Sequence, residues 1–135
     1  MSQSISLYNQ LANHKLFSKS VNFGLKRIKL ALGFLGHPEK KLKNVISVIG
    51  ESGKFTTLFS LKSFIEANNQ KVTTHISPSL RDIKERFYMG DKYLSHKEIK
   101  KTIKQIEKLN IPLTVFECLT LVYIINASKK NADYN

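Results

Sequence analysis

The stretch that most narrows what this chain can fold into runs from Asn44 to Thr57. It opens with a short apolar run rich in β-branched residues, Val45 to Ile49. A glycine turn follows, then Lys54, two threonines and an amphipathic segment. That order predicts a buried strand, a phosphate-cradling loop and a helix. Gly50 and Gly53 let the backbone bend and bring its N–H groups close to anionic oxygens. The helix N-terminus adds partial positive charge. Lys54 supplies a full charge, and Thr56 offers a hydroxyl to Mg²⁺ or to a phosphate. The spacing G-x-x-G-K-x-T is shorter than G-x-x-x-x-G-K-[ST], so the residues alone leave an ordinary strand-to-helix turn open beside the phosphate loop.

A chain of 135 residues holds one domain at most, and a hydrophobic share of 41% can supply its core. No apolar run is long enough to span a bilayer, and residues 1–6 lack the basic start and apolar centre of a signal peptide. The single cysteine, Cys118, excludes an internal disulfide framework, so the cytoplasm is the expected compartment. The net charge of +12 raises a nucleic-acid reading, but the excess is nearly all lysine spread along the chain. Arginine, the residue that reads bases and grips phosphate bidentately, occurs only at Arg27, Arg81 and Arg86. The lysines are therefore read mainly as a solvated surface.

Periodicity predicts a short helix over residues 5–17. A second helix follows, capped by Asn22, with Leu25, Ile28, Leu32 and Leu35 on one face, and Gly36 and Pro38 end it. After the glycine turn, Leu58, Leu61 and Ile65 form the stripe of a helix that stops at Asn68-Asn69. Val72 to Ile76 is expected to be a second strand, parallel to the first through a right-handed crossover. Residues 79–94 read as a long loop with a hairpin near Met89 to Asp91. Ser95 and Glu98 form a capping box before a helix with Ile99, Ile103, Ile106 and Leu109 inward. Thr114 and Glu117 form a second, opening the most apolar helix of the chain.

Several of these segments, taken in order, resemble one family. They are Gly24 to Ile28, the Leu35-Gly36-x-Pro38 turn, Gly50 to Thr56, Ser77-Pro78-x-Leu80, Glu85-Arg86 and Phe116-Glu117. Together they resemble the N-terminal part of folylpolyglutamate synthase/dihydrofolate synthase, a Mur-ligase-like family of ATP-dependent amide ligases. The resemblance implies an α/β fold, a three-layer P-loop architecture with a parallel sheet like the Mur-ligase central domain. It implies a partial ATP-binding domain over residues 1–135, truncated at its C-terminus, with the glutamate-binding domain absent and no ligase turnover by this chain alone. The implied reaction phosphorylates a carboxylate of dihydropteroate or folate with ATP and Mg²⁺, and L-glutamate then attacks the acyl phosphate.

Carried over by motif, Lys54 is the catalytic residue, and Gly50, Glu51, Ser52, Gly53, Lys54, Phe55 and Thr56 hold the nucleotide. Ser77 and Glu117 match the metal ligands, residues 78–86 match a mobile loop, and Gly24 and Leu25 match a substrate-binding segment. The implied protein is a monomer with no membrane or nucleic-acid partner. The chain departs from the family pattern at Glu51 and Ser52, which replace Thr-Asn, at Phe55, which replaces glycine, and at Ser79, where histidine is common. Two other expectations stand beside this one: a non-catalytic remnant of the family, and a basic nucleic-acid-binding module. Read without the family, Glu117 completes a capping box and Ser77 is a turn residue. Cys118 is a core residue. His14, His37, His75 and His96 show no metal-ligand spacing and read as structural or surface groups.

Overall fold

The computed structural model describes residues 2–18 and 23–135. Its centre is α5 (Val115–Ala127), the most apolar segment, with Cys118, Leu119, Leu121 and Val122 at most 1% exposed. A helix apolar on most sides must be covered on most sides. α4 (His96–Glu107) covers one, laying down Ile99, Ile103 and Ile106 at helical spacing. Asn126 Nδ2 donates to Thr102 Oγ1 across that contact at 3.0 Å. α1 (Ser2–Ala12) adds Leu7 and Leu11 to the same core, and α2 (Lys26–Phe34) adds Ala31. Both capping boxes read in the sequence form, at Ser95/Glu98 and at Thr114/Glu117. The predicted Asn22 cap lies outside the described residues.

Parallel pairing occurs in two places. β1 (Phe17–Ser18) runs beside β4 (Leu113–Thr114), with Phe17 opposite Leu113. Val72 pairs in parallel with Tyr134, and Thr73 N–H donates to Tyr134 O at 3.0 Å. β2 (Thr74–His75) then pairs antiparallel with β3 (Phe87–Tyr88), and the predicted hairpin turns through Met89 to Lys92. α3 (Lys54–Ala67) follows the glycine turn and ends at Asn68, as expected.

The expected first strand does not form. Val45–Ile49 has one backbone bond to the sheet, from Ile46 N–H to Asn135 O at 2.9 Å, with Val45 62% and Ile49 89% exposed. Nor does it pair directly with residues 72–76, because residues 133–135 lie between the two segments. A strand needs a ladder along its edge and cover on its faces. A single backbone bond from Ile46 to Asn135 does not supply one.

Candidate functional site

The glycine turn shapes the N-terminus of α3. Gly50 has φ 147° and Gly53 has φ 76°, backbone that side-chain-bearing residues rarely adopt. Gly53 is the N-cap, and no side chain caps the helix. The first-turn amides are therefore open to an anion, with the helix dipole behind them. Lys54 folds back over the turn: its ammonium donates to the carbonyls of Gly50 and Glu51, the latter at 2.9 Å. The Glu51, Ser52 and Thr56 side chains are exposed. Phe55 stacks along Phe59 with ring centroids 6.5 Å apart.

Lys54 and Ser77 wall one small hollow of ≈ 70 Å³, completed by Val48, Phe55, Leu58 and His75. The structure thus brings together two residues that stand far apart in sequence and were assigned to phosphate and metal. A larger, mainly apolar cavity of ≈ 400 Å³ adjoins it through Val48, Leu58, His75 and Ser77, and reaches Phe116 and Tyr123. Glu51 walls neither.

Ser77 is exposed and joined to Pro78 by a cis peptide bond. Its Oγ accepts from Arg86 Nη1 at 3.0 Å, and Arg86 Nε donates to Ser79 Oγ at 3.4 Å. Arg86 is 7% exposed, and among the described residues no carboxylate pairs with it. His75 lies between the rings of Phe87 and Tyr123, at 5.6 and 5.2 Å. Burial pulls its pKa down to about 4, which keeps the ring neutral, and its Nε2 has no partner among the described residues. Burial pushes the Cys118 thiol up to about 12, so it stays an inert core group.

The remaining expected site residues assemble elsewhere. Glu117, 8% exposed, takes a two-pronged grip from Arg27: Nε to Oε2 at 3.2 Å and Nη2 to Oε1 at 3.1 Å. Its Oε2 also accepts the Thr114 N–H at 2.8 Å. Both oxygens are engaged, and Glu117 walls neither cavity. Gly24 (φ 120°) and Leu25 (64% exposed) lead into α2, three and two residues before Arg27, so the ion pair ties that segment to α5. Among the described residues no group of three or more His, Cys, Asp or Glu side chains is placed to hold a metal. Sequence reasoning placed Arg27 and Arg86 in segments that resemble the family but gave neither a partner; the structure pairs Arg27 with Glu117 and Arg86 with Ser77 and Ser79.

No protein-family model matches the chain. The dihydrofolate synthase/folylpolyglutamate synthase of Bacillus subtilis (strain 168) is 30% identical over 94 residues, covering 70% of this chain and 22% of that protein. The solved structure of E. coli FolC in complex with DHPP and ADP superposes with a TM-score of 0.85 at 31% identity, covering 96% of this chain and 31% of that one. The chain belongs to the folylpolyglutamate synthase/dihydrofolate synthase family. The bifunctional synthase from Yersinia pestis, solved with AMPPNP and a Mn ion, has a TM-score of 0.84 at 27% identity, over 96% of this chain and 32% of its own. The synthase fold, mixed α/β with parallel pairing, is therefore the fold of this chain, which spans about a third or less of the length of these relatives. No helix among the described residues is long and apolar enough to cross a membrane.

Proposed function

We propose that this chain is the nucleotide-binding part of an ATP-dependent amide ligase that adds L-glutamate to dihydropteroate, to a folate or to both. One observation carries the reading: Lys54 and Ser77 wall the same hollow at the uncapped N-terminus of α3. A terminal phosphate there meets the first-turn amides, and Lys54 exchanges two loop carbonyls for phosphate oxygens. Charge stabilisation of the transferring phosphoryl group is the main task of a protein in this chemistry. At ≈ 70 Å³ the hollow suits a phosphate, and the adjoining ≈ 400 Å³ offers room for more of a ligand.

Mg²⁺ keeps several waters and takes few protein oxygens alongside phosphate. The exposed Ser77 hydroxyl, at the wall of the hollow, fits that mode, and bound there the metal would draw charge from the phosphates; Thr56 walls neither the hollow nor the cavity. Glu117 fits it only by giving up Arg27. As it stands, the carboxylate holds the Gly24–Arg27 segment to the start of α5. Gly24 and Leu25 remain our proposed contact for the pterin-bearing substrate.

Calorimetric titration with ATP and Mg²⁺ tests the nucleotide reading. Wild type binds, and Lys54→Ala, folded by circular dichroism, does not. A folded wild type that takes up no nucleotide establishes the second reading, a non-catalytic remnant. Phe55, walling the hollow where the family carries glycine, favours that second reading. Incubation with ATP, L-glutamate and dihydropteroate is expected to yield no amide from this chain alone; amide product would overturn that expectation.

A further inference from the structure

The hollow at the start of α3 holds ≈ 70 Å³, and the cavity beside it ≈ 400 Å³. They share Val48, Leu58, His75 and Ser77, while Lys54, Phe55 and Ile76 wall the hollow alone. Of those three, Ile76 is buried, and the Lys54 ammonium is turned aside onto the carbonyls of Gly50 and Glu51. Phe55 is the remaining wall, and it is the second residue of α3. Helical side chains tilt toward the N-terminus of their helix, so a ring at that position leans over the amides an anion would use. Phe59, one turn on, stacks along it at 6.5 Å with an interplanar angle of 17° and keeps the ring in place. The glycine turn does not narrow the hollow, since a side-chain carbon at Gly53 would meet nothing within 4 Å. The ring also decides what surrounds a ligand. With Val48, Leu58 and Ile76 it lines the hollow with carbon, leaving Lys54, His75 and Ser77 as the polar walls. One phosphate group reaches the lysine and the first-turn amides. A second gives up water and meets carbon without a hydrogen bond in return.

We propose that Phe55 is a specificity-determining residue whose ring limits the hollow to one phosphate group, so that the chain grips a terminal phosphate but holds the phosphate chain of a nucleotide weakly. The inference rests on the nucleotide reading and adds to it the residue that sets how much of the nucleotide fits. Phe59 acts through Phe55, as the support that keeps the ring over the turn.

The test compares ADP with inorganic phosphate, both with Mg²⁺, in nuclear magnetic resonance titrations of the whole chain. The proteins are wild type, Phe55→Ala, Phe55→Leu and the double variant Lys54→Ala/Phe55→Ala, and amide shifts report the fold of each as well as its affinity. Phe55 is half-buried and alanine is a strong helix former, so Phe55→Ala keeps α3. Phe55→Leu removes the ring but keeps apolar bulk against Phe59, and decides the matter if Phe55→Ala fails to fold. Phe55→Ala is expected to bind ADP about tenfold more tightly, the worth of relieving one crowded contact. Phe55→Leu shows part of that gain, phosphate affinity stays that of wild type, and the double variant loses the gain. Equal ADP affinity in wild type and both single variants overturns the proposal and leaves the nucleotide reading standing. So does a gain for phosphate as large as that for ADP, or a gain that survives Lys54→Ala. A wild type that takes up no ADP beside a Phe55→Ala that binds it supports the proposal and overturns the nucleotide reading for the natural chain. ADP refused by every protein, all folded, overturns both.

Discussion

The N-termini of α3 and α5 present the same physical problem and resolve it in opposite ways. Each helix begins with amides that lack intrahelical acceptors. At α5, Thr114 Oγ1 accepts the Glu117 N–H at 3.1 Å, Glu117 returns the bond to the Thr114 N–H, and Arg27 closes the group. That end is buried and complete. At α3 the cap is Gly53, no side chain among the described residues caps the helix, and Lys54 rests on loop carbonyls. The first arrangement stabilises the folded chain; the second leaves the start of α3 without a side-chain cap. The contrast teaches that a carboxylate in a motif and a carboxylate free to bind are different things.

Removing the closed group has the largest expected effect. Glu117→Ala strands Arg27 and opens the cap, and costs about 3 kcal/mol in urea unfolding. A loss near the cap-only value of about 1 kcal/mol would remove Arg27 from the account. Lys54→Ala probes the open end. It leaves stability within about 0.5 kcal/mol, yet weakens nucleotide binding about thirtyfold or more. Equal losses of stability at the two sites would erase the distinction between them.

Gly53→Ala tests whether the open end depends on backbone shape. A side chain at φ 76° costs about 1 kcal/mol, visible as a lower melting temperature together with weaker nucleotide binding. The smallest effect belongs to α4, whose start is closed as in α5 but exposed. Hydrogen bonds from the Ser95 hydroxyl and amide hold the Glu98 carboxyl down at about 2. A depressed carboxyl contributes its stability above the ordinary value of 4.5 and loses it as pH falls toward 2. Ser95→Ala should flatten the decline of melting temperature over that window. At 39% side-chain exposure the difference stays under about 1 kcal/mol.

Much of the helical framework was legible because its signals are local. Ser95/Glu98 and Thr114/Glu117 each lie three residues apart, and both capping boxes form as read. The stripe Ile99, Ile103, Ile106 named the buried face of α4. The sheet was less legible. Val45–Ile49 has the composition of a buried strand, but strand pairing depends on neighbours that composition does not reveal. The β1–β4 pair is two residues long on each side, too short for any periodic signal. The site was half legible. The glycine turn announced itself, whereas nothing local named the partners of Arg27 and Arg86.

By itself, the sequence determined the glycine-shaped start of α3, the lysine beside it, the capped starts of α4 and α5, and which helix is the most apolar. These rest on interactions within a few residues, which the order of side chains fixes directly. Only the tertiary structure decided that Ser77 would share a hollow with Lys54 and that Arg86 would be buried behind it. It also decided that Glu117 would be claimed by an arginine 90 positions away. Those outcomes depend on how distant segments meet when the core closes, and no local pattern encodes that meeting.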